Sequence, residues 1–164
     1  MDNKNPVHSL NKETFNKLCQ SLEIIAVSRG YEKGIISAQI SHETGHGEKI
    51  IDNNLFNIKA TGIWLTSGTY VVVGTHEYIN GVKTYIPPTG KNPPKFRKYA
   101  SYEESLKDYI NLISTASFYR LAWNSRHDPY LYFYYLINTG DPKYKYATDP
   151  TYPKKCLDIF EALT

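Results

Sequence analysis

Between residues 61 and 86 the chain changes its period. The stretch "TGIWLTSGTYVVVGTHEYINGVKTYI" is dense in β-branched and aromatic residues, which suit a pleated, half-buried surface. Asn80-Gly81 falls between two such runs and supplies the positive backbone angles of a two-residue hairpin turn. Alternation puts Val71, Val73, Thr75 and Glu77 on one face of the first hairpin strand. On both sides of this stretch the spacing is helical. Phe15, Leu18, Cys19, Leu22, Ile25 and Ala26 mark one helix, with Gly30 to close it. A second is expected from Glu32 toward Glu43, through Ile35, Ile36, Gln39 and Ile40, with Gly45 and Gly47 at its end. After a proline-rich loop, "PPTGKNPP" (87–94), Ser101-x-x-Glu104 forms a capping box ahead of Leu106, Tyr109, Ile110 and Ile113. Further helices are expected over 116–124, over 129–138 with Gly140 as a stop, and from Pro153 onward through Cys156, Leu157, Phe160 and Leu163. A small antiparallel insert between two sets of helices is an α+β arrangement, with a helical lobe and a β lobe as two walls of a cleft.

A chain of 164 residues is long enough to bury about 70% of its unfolded surface around one core. Residues 1–10 are polar and read as an arm, leaving 11–164 as one domain. Nineteen basic against 16 acidic residues give a net charge of +3, too mild to announce a nucleic-acid partner. No apolar stretch near the N-terminus resembles a secretory signal, and no run approaches the ~20 apolar residues of a membrane span. The expectation is therefore a chain made in the cytoplasm without stable membrane insertion, or a fragment cut from something longer; a monomer is expected. Cys19 and Cys156 read as buried thiols, with a long-range disulfide left open. Fifteen tyrosines suit sugar rings through their flat faces and hydroxyls, and suit ordinary cores equally.

The stretch "SHETGHGEKI" (41–50) contains His42-Glu43-x-x-His46, the zinc-metallopeptidase pattern. Such a site needs both histidines on one face of a continuous helix, with Glu43 activating a metal-bound water. Gly45 and Gly47 bracket His46 and weaken that reading. The third ligand it requires has no motif, since His8, His76 and His127 stand in no recognisable context. A zinc site is one alternative; the expectation is that no metal is bound.

Glu43 also suits glycoside hydrolysis. That chemistry needs one carboxyl kept protonated by an apolar setting, to give its proton to a leaving oxygen. Glu43 lies at the C-terminal end of an apolar helix, where the helix dipole also disfavours negative charge. Glu77, on a hairpin strand of the opposite lobe, is the candidate second carboxylate.

Five blocks around these residues carry a family likeness. "SAQISHETGHG" (37–47) resembles the acid-bearing helix of the glycoside hydrolase family 73 N-acetylglucosaminidases, a family that includes the flagellar rod-cap peptidoglycan hydrolase and many bacterial autolysins. The usual form there is Ala-Gln-x-x-x-Glu-[Thr/Ser]-Gly-Trp-Gly. "NNLFNIKA" (53–60) is similar to Asn-Leu-Phe-Gly-[Ile/Val]-Lys-Ala, and "THEYINGVK" to the Thr-x-Glu-Tyr-x-Asn-Gly hairpin. "KFRKYASYEESLKDYINLI" and "YATDPTYPKK" (146–155) resemble two later blocks. The five stand in family order over residues 13–163.

The resemblance implies a lysozyme-like domain that cleaves the β-1,4 bond from N-acetylglucosamine to N-acetylmuramic acid in peptidoglycan glycan strands, without a cofactor. It implies Glu43 as general acid and Glu77 as the second carboxylate, either activating water or leaving attack to the substrate's acetamido oxygen. Tyr146 is expected to contact the sugar or its acetamido group, and Tyr119 falls near the family's Arg-Tyr pair. Asp108 is open between substrate contact and a structural hydrogen bond. Phe56 and Trp64 are open between cleft wall and core, and Asn54 and Ser101 are expected to be structural. Three departures stand out. His46 occupies the family's Trp position, Asn57 its Gly position, and the stretch 116–145 matches only loosely. The setting expected is a stand-alone phage endolysin acting on the host wall after release. A virion-borne lysin, an injected antibacterial toxin, an autolysin fragment and an N-acetylmuramidase are the alternatives, along with a non-catalytic wall-binding protein.

Overall fold

Helix α1 (Lys12–Ser28) begins where Asn11 accepts a hydrogen bond from the Thr14 amide at 2.8 Å, a side-chain cap for one of the free amides of a first turn. In this computed structural model, which describes residues 5–164, α1 buries Phe15, Cys19, Leu22 and Ala26 along one stripe. Helix α2 (Ile35–Thr44) starts three residues later than its apolar spacing suggests, because Gly34 stands before it in a left-handed conformation, φ 103°. Its N-terminus is capped from another helix: Glu23 of α1 accepts a hydrogen bond from the Ser37 amide at 2.7 Å. Eight of the ten residues of α2 are buried, so this helix is enclosed by the others rather than lying on the surface.

α1 and the last helix pack directly against it. The remaining helices are α3 (Ile63–Thr66), α4 (Tyr102–Thr115), α5 (Arg120–Asn124), α6 (Pro129–Ile137) and α7 (Tyr152–Leu163), with a 3-10 turn at Ser117–Tyr119 ahead of α5. Ser101 caps α4 as expected, accepting from the Glu104 amide at 3.1 Å. Glu104 reaches back to the Ala100 amide at 3.2 Å, one residue before the position a capping box uses. The core runs from Phe15, Ile36 and Ile40 through Leu106, Ile110 and Phe133. Cys19 and Cys156 are buried free thiols.

Among the described residues, six short strands form three antiparallel pairs. β1 (Val7–His8) pairs with β2 (Ile50–Ile51), Val7 opposite Ile51. Of the polar segment 1–10, residues 1–4 lie outside the described residues, and Val7–His8 are laid against the body as this strand. β3 (Tyr70–Val72) pairs with β6 (Lys95–Arg97), and β4 (Thr75–Ile79) with β5 (Val82–Ile86). The β4–β5 hairpin turns at Asn80 and Gly81, both with positive φ (50° and 77°), as the Asn-Gly signal predicts. The single strand expected across Val71–Glu77 is two. It breaks at Val73 and Gly74, where the Tyr85 hydroxyl lies against the glycine and a Cβ would have to displace it. Val71 therefore faces β6, opposite Phe96, while Thr75 and Glu77 belong to the hairpin. The architecture is α+β, a helical lobe and a small β lobe in a cleft-like arrangement. Among the described residues, no helix is long and apolar enough to cross a membrane.

Candidate active site

Glu43 is the next-to-last residue of α2, which stops because Gly45, His46 and Gly47 are successively left-handed, with φ 57°, 56° and 85°. Thr44 secures this exit: its hydroxyl donates to the Ile40 carbonyl at 2.7 Å and accepts from the Gly47 amide at 2.9 Å. The exit settles the geometry of the histidine pair. His46 lies beyond the helix and is exposed, so it does not stand one helical turn above His42. The His42 ring instead packs edge-on against Tyr152, 5.0 Å between centroids, and burial holds its pKa below the usual value. Among the described residues no three His, Cys, Asp or Glu side chains come together as a metal site. The zinc pattern is thus not realised as a ligand pair.

The Glu43 carboxyl is crowded by protein although part of the residue reaches solvent. Tyr152 of α7 donates to its Oε1 at 2.8 Å. Asn57 donates from Nδ2 both to Oε2 at 2.9 Å and to the main-chain oxygen of Glu43 at 2.8 Å. Burial pushes the carboxyl up to about 7; these two hydrogen bonds oppose the rise, and the charge of Glu77 adds to it. A carboxyl with such a pKa keeps a proton to give near neutral pH and can take one back.

Glu77 projects from β4. Its carboxylate is ion-paired with Lys59 and accepts from the Thr148 hydroxyl at 2.7 Å. Thr148 also accepts from the Tyr78 amide at 2.9 Å, so one hydroxyl ties the hairpin to the segment ahead of α7. That segment, Tyr146–Tyr152, reaches both acids: Thr148 holds Glu77 and Tyr152 holds Glu43. Tyr146 belongs to the same segment and lies on the Glu43 side, its hydroxyl donating to the Phe56 carbonyl and its ring 5.9 Å from that of Tyr152. Burial and the nearby Glu43 charge raise its pKa well above the ordinary phenol value.

The other expected site residues separate from this pair. Phe56 is fully buried and stacked on Tyr109, centroids 4.1 Å apart, so its side chain is a floor beneath the site and not a wall facing a sugar. Tyr119 is buried as well and backs Tyr146 at 6.2 Å. Asp108 accepts from Arg97 at 2.8 Å and from the Tyr99 hydroxyl at 2.5 Å. Trp64 packs edge-on against Tyr99 with the Arg97 guanidinium 5.1 Å from its ring. These four residues form a second cluster, which joins β6 to α4 and contains neither Glu43 nor Glu77. Asn54 is structural as expected, pinning its loop through bonds to Ile58 and Arg97. Four residues bonded to the acids were not foreseen: Asn57, Lys59, Thr148 and Tyr152. Thr148 and Tyr152 stand inside the Tyr-Ala-Thr-Asp-Pro-x-Tyr block, and Asn57 was marked only as a departure.

Glu77 on the β lobe is near enough to Glu43 for its charge to raise that carboxyl's pKa. Residues 19–164 match the glucosaminidase family, described as mannosyl-glycoprotein endo-beta-N-acetylglucosaminidase. This chain belongs to the glucosaminidase family. Among curated relatives, peptidoglycan hydrolase FlgJ of Vibrio parahaemolyticus is 31% identical over 88% of this chain and 44% of its own length. The autolysin of Enterococcus faecalis is 32% identical over 92% of this chain and 20% of its own. This glucosaminidase chain thus spans less than half of the relatives it matches. A peptidoglycan hydrolase mutant from Sphingomonas sp. A1 superposes with a TM-score of 0.64 at 29% identity, covering 91% of this chain and 87% of that one. The glycoside hydrolase domain of Salmonella typhimurium FlgJ superposes at 0.61 and 25% identity, covering 94% and 89%.

Proposed function

We propose that this chain hydrolyses peptidoglycan as an endo-β-N-acetylglucosaminidase, cutting the β-1,4 bond between N-acetylglucosamine and N-acetylmuramic acid. The observation that carries the reading is Glu43: a carboxyl with its pKa lifted to about 7 by burial, beside a second carboxylate from the opposite lobe, in a chain of the glucosaminidase family. The relatives named as peptidoglycan hydrolases supply the substrate class.

Glu43 gives its proton to the glycosidic oxygen, so that the sugar departs as a neutral alcohol. Asn57 and Tyr152 then steady the anion left behind. Glu77, held by Lys59 and Thr148, offers negative charge to the oxocarbenium-like centre, whether water or the substrate's own acetamido oxygen attacks it. Tyr146 supplies an aromatic edge beside the acid. The test is digestion of purified walls, borohydride reduction and mass spectrometry of the new ends. Reduced N-acetylglucosamine is expected; reduced muramic acid ends indicate a muramidase and overturn the bond assignment. Glu43→Gln in parallel is expected to release sugar about a hundredfold or more slowly.

The setting we propose is lysis of a bacterial cell by a phage, the enzyme made in the cytoplasm and passing to the wall once the membrane is breached. A net charge of +3 supports attraction to anionic wall polymers. Expression in the host is expected to lyse cells only together with a membrane-permeabilising protein; lysis without one contradicts the setting while leaving the chemistry intact.

A further inference from the structure

Behind Glu43 the core contains a line of hydroxyls and one amide. Tyr152 donates to Glu43 Oε1 at 2.8 Å. Gln39 donates from Nε2 to the Tyr152 hydroxyl at 3.0 Å and accepts at Oε1 from Tyr109 at 2.6 Å. The Tyr109 and Tyr132 hydroxyls are 2.5 Å apart, and those of Tyr132 and Tyr31 are 3.1 Å apart. The line crosses the helical lobe from the loop before α2 through α6, α4, α2 and α7. Gln39, Tyr109 and Tyr132 are fully buried, and Tyr152 and Tyr31 nearly so.

Each phenol has one hydrogen, and burial raises the pKa of all four, so each keeps that hydrogen. The Gln39 amide then sets a direction, because its oxygen only accepts and its nitrogen only donates. Tyr109 uses its hydrogen on Gln39, so Tyr132 must donate to Tyr109, and Tyr31 must donate to Tyr132. Every hydrogen in the line points toward Glu43. Hydrogen bonds aligned head to tail in a low-dielectric interior polarise one another, and here they strengthen the last donor, Tyr152.

We propose that Gln39, Tyr109, Tyr132 and Tyr31 are positioning residues for Glu43, acting through Tyr152 to orient its carboxyl and to favour the anion that remains when its proton is given up. Gln39 holds this role from one turn earlier on the same helix. The consequence for turnover rests on Glu43 being the general acid; the coupling itself does not. The groups that face Glu43 directly are Asn57 from the loop after β2, Glu77 from β4, Tyr146, and Tyr152 and Cys156 of α7, with His42 beside it on α2. The Tyr132 hydroxyl bonds to none of them, so its removal breaks a link of the line without removing a direct contact of Glu43.

The experiment is a ¹³C NMR titration of the full chain labelled at glutamate Cδ, with the Glu43 signal assigned by its loss in Glu43→Gln. In Tyr132→Phe the Glu43 midpoint is expected to rise by a few tenths of a pH unit. Tyr31→Phe, at the far end, is expected to shift it the same way by less. Phe133→Leu disturbs the packing beside Tyr132, whose ring it meets edge-on at 5.7 Å, without removing a hydroxyl from the line, and is expected to leave the midpoint in place. Wall hydrolysis by Tyr132→Phe is expected to show the alkaline limb of its kcat profile moved by the same amount, with KM unchanged. An unmoved midpoint in both tyrosine variants, or an equal shift in Phe133→Leu, overturns the proposal. A moved midpoint with an unmoved kcat profile, or full activity in Glu43→Gln, keeps the coupling and overturns Glu43 as the acid.

Discussion

Asn57 binds Glu43 twice, its Nδ2 lying 2.8 Å from the main-chain oxygen and 2.9 Å from Oε2 of that one residue. The first bond satisfies a carbonyl that the end of α2 leaves without a helical partner. The second stabilises the charged carboxylate. Asn57 itself sits at φ 50°, a conformation Gly adopts freely and Asn tolerates better than most residues.

Asn57→Gly therefore keeps the backbone and removes both bonds. Because the bond to Oε2 lowers the Glu43 pKa, its loss raises that pKa. A general acid works below its pKa, so the alkaline limb of the pH–rate profile moves to higher pH. Stability falls by about 1 kcal/mol. Denaturant melts and a pH series of wall-clearing rates check both outcomes.

Glu43→Gln is expected to lower the rate of wall hydrolysis by roughly 10²–10⁴-fold and to raise stability in a defined window. The native carboxyl titrates near 7 and the unfolded one near 4.3. Between those values the native state binds more protons than the unfolded state, so wild-type stability falls as pH rises. Below the window both states are protonated and the difference vanishes. The variant lacks this loss. Allowing for partial exposure, it gains about 2 kcal/mol at pH 8 and little at pH 4, read as Tm across pH.

Thr148→Val keeps side-chain shape and removes the hydroxyl that accepts from Tyr78 and donates to Glu77. It is expected to cost about 1–2 kcal/mol and to lower kcat about tenfold while KM changes little, since Glu77 loses one of its two anchors. Steady-state kinetics on a soluble glycan fragment separate the two constants.

Asp108→Asn tests the second cluster. Its carboxylate is taken up by Arg97 and Tyr99, so the change is expected to cost about 1–3 kcal/mol and to leave KM and the pH profile unmoved. A raised KM with unchanged Tm gives Asp108 a substrate contact instead.

Gly47→Ala and Gly45→Ala make a matched pair. Both sites have positive φ, but a Cβ at 47 meets the buried Phe15 ring at 2.6 Å, whereas one at 45 meets nothing within 4 Å. The first is expected to cost about 3 kcal/mol and the second about 1 kcal/mol, measured by urea denaturation.

Apart from α3, which lies in the stretch read as β-rich, the helices were legible because their apolar periods are local, as is the cap Ser101, which holds the amide three residues on. The Asn80-Gly81 hairpin was legible for the same reason. The break at Gly74 was not, since the Tyr85 hydroxyl that crowds this position comes from the neighbouring strand. At the candidate site, Glu43 and Glu77 were singled out through motif context, and the structure shows which residues hold them. Asn57, Lys59, Thr148 and Tyr152 escaped because each acts across 14 to 109 residues of chain, which no window of spacing detects. Phe56 and Tyr119 looked like cleft aromatics because an aromatic side chain reads alike in a core and beside a sugar.

The enclosure of α2 has a consequence for how the enzyme fails. A helix with eight of ten residues buried cannot fray by itself, so its amide hydrogens exchange only when the whole domain opens. Glu43 is then lost to solvent in the same event that unfolds the chain. Hydrogen–deuterium exchange is expected to show the amides from Ala38 to Glu43 among the slowest in the molecule, and heat inactivation is expected to follow the global melting curve without a separate earlier phase.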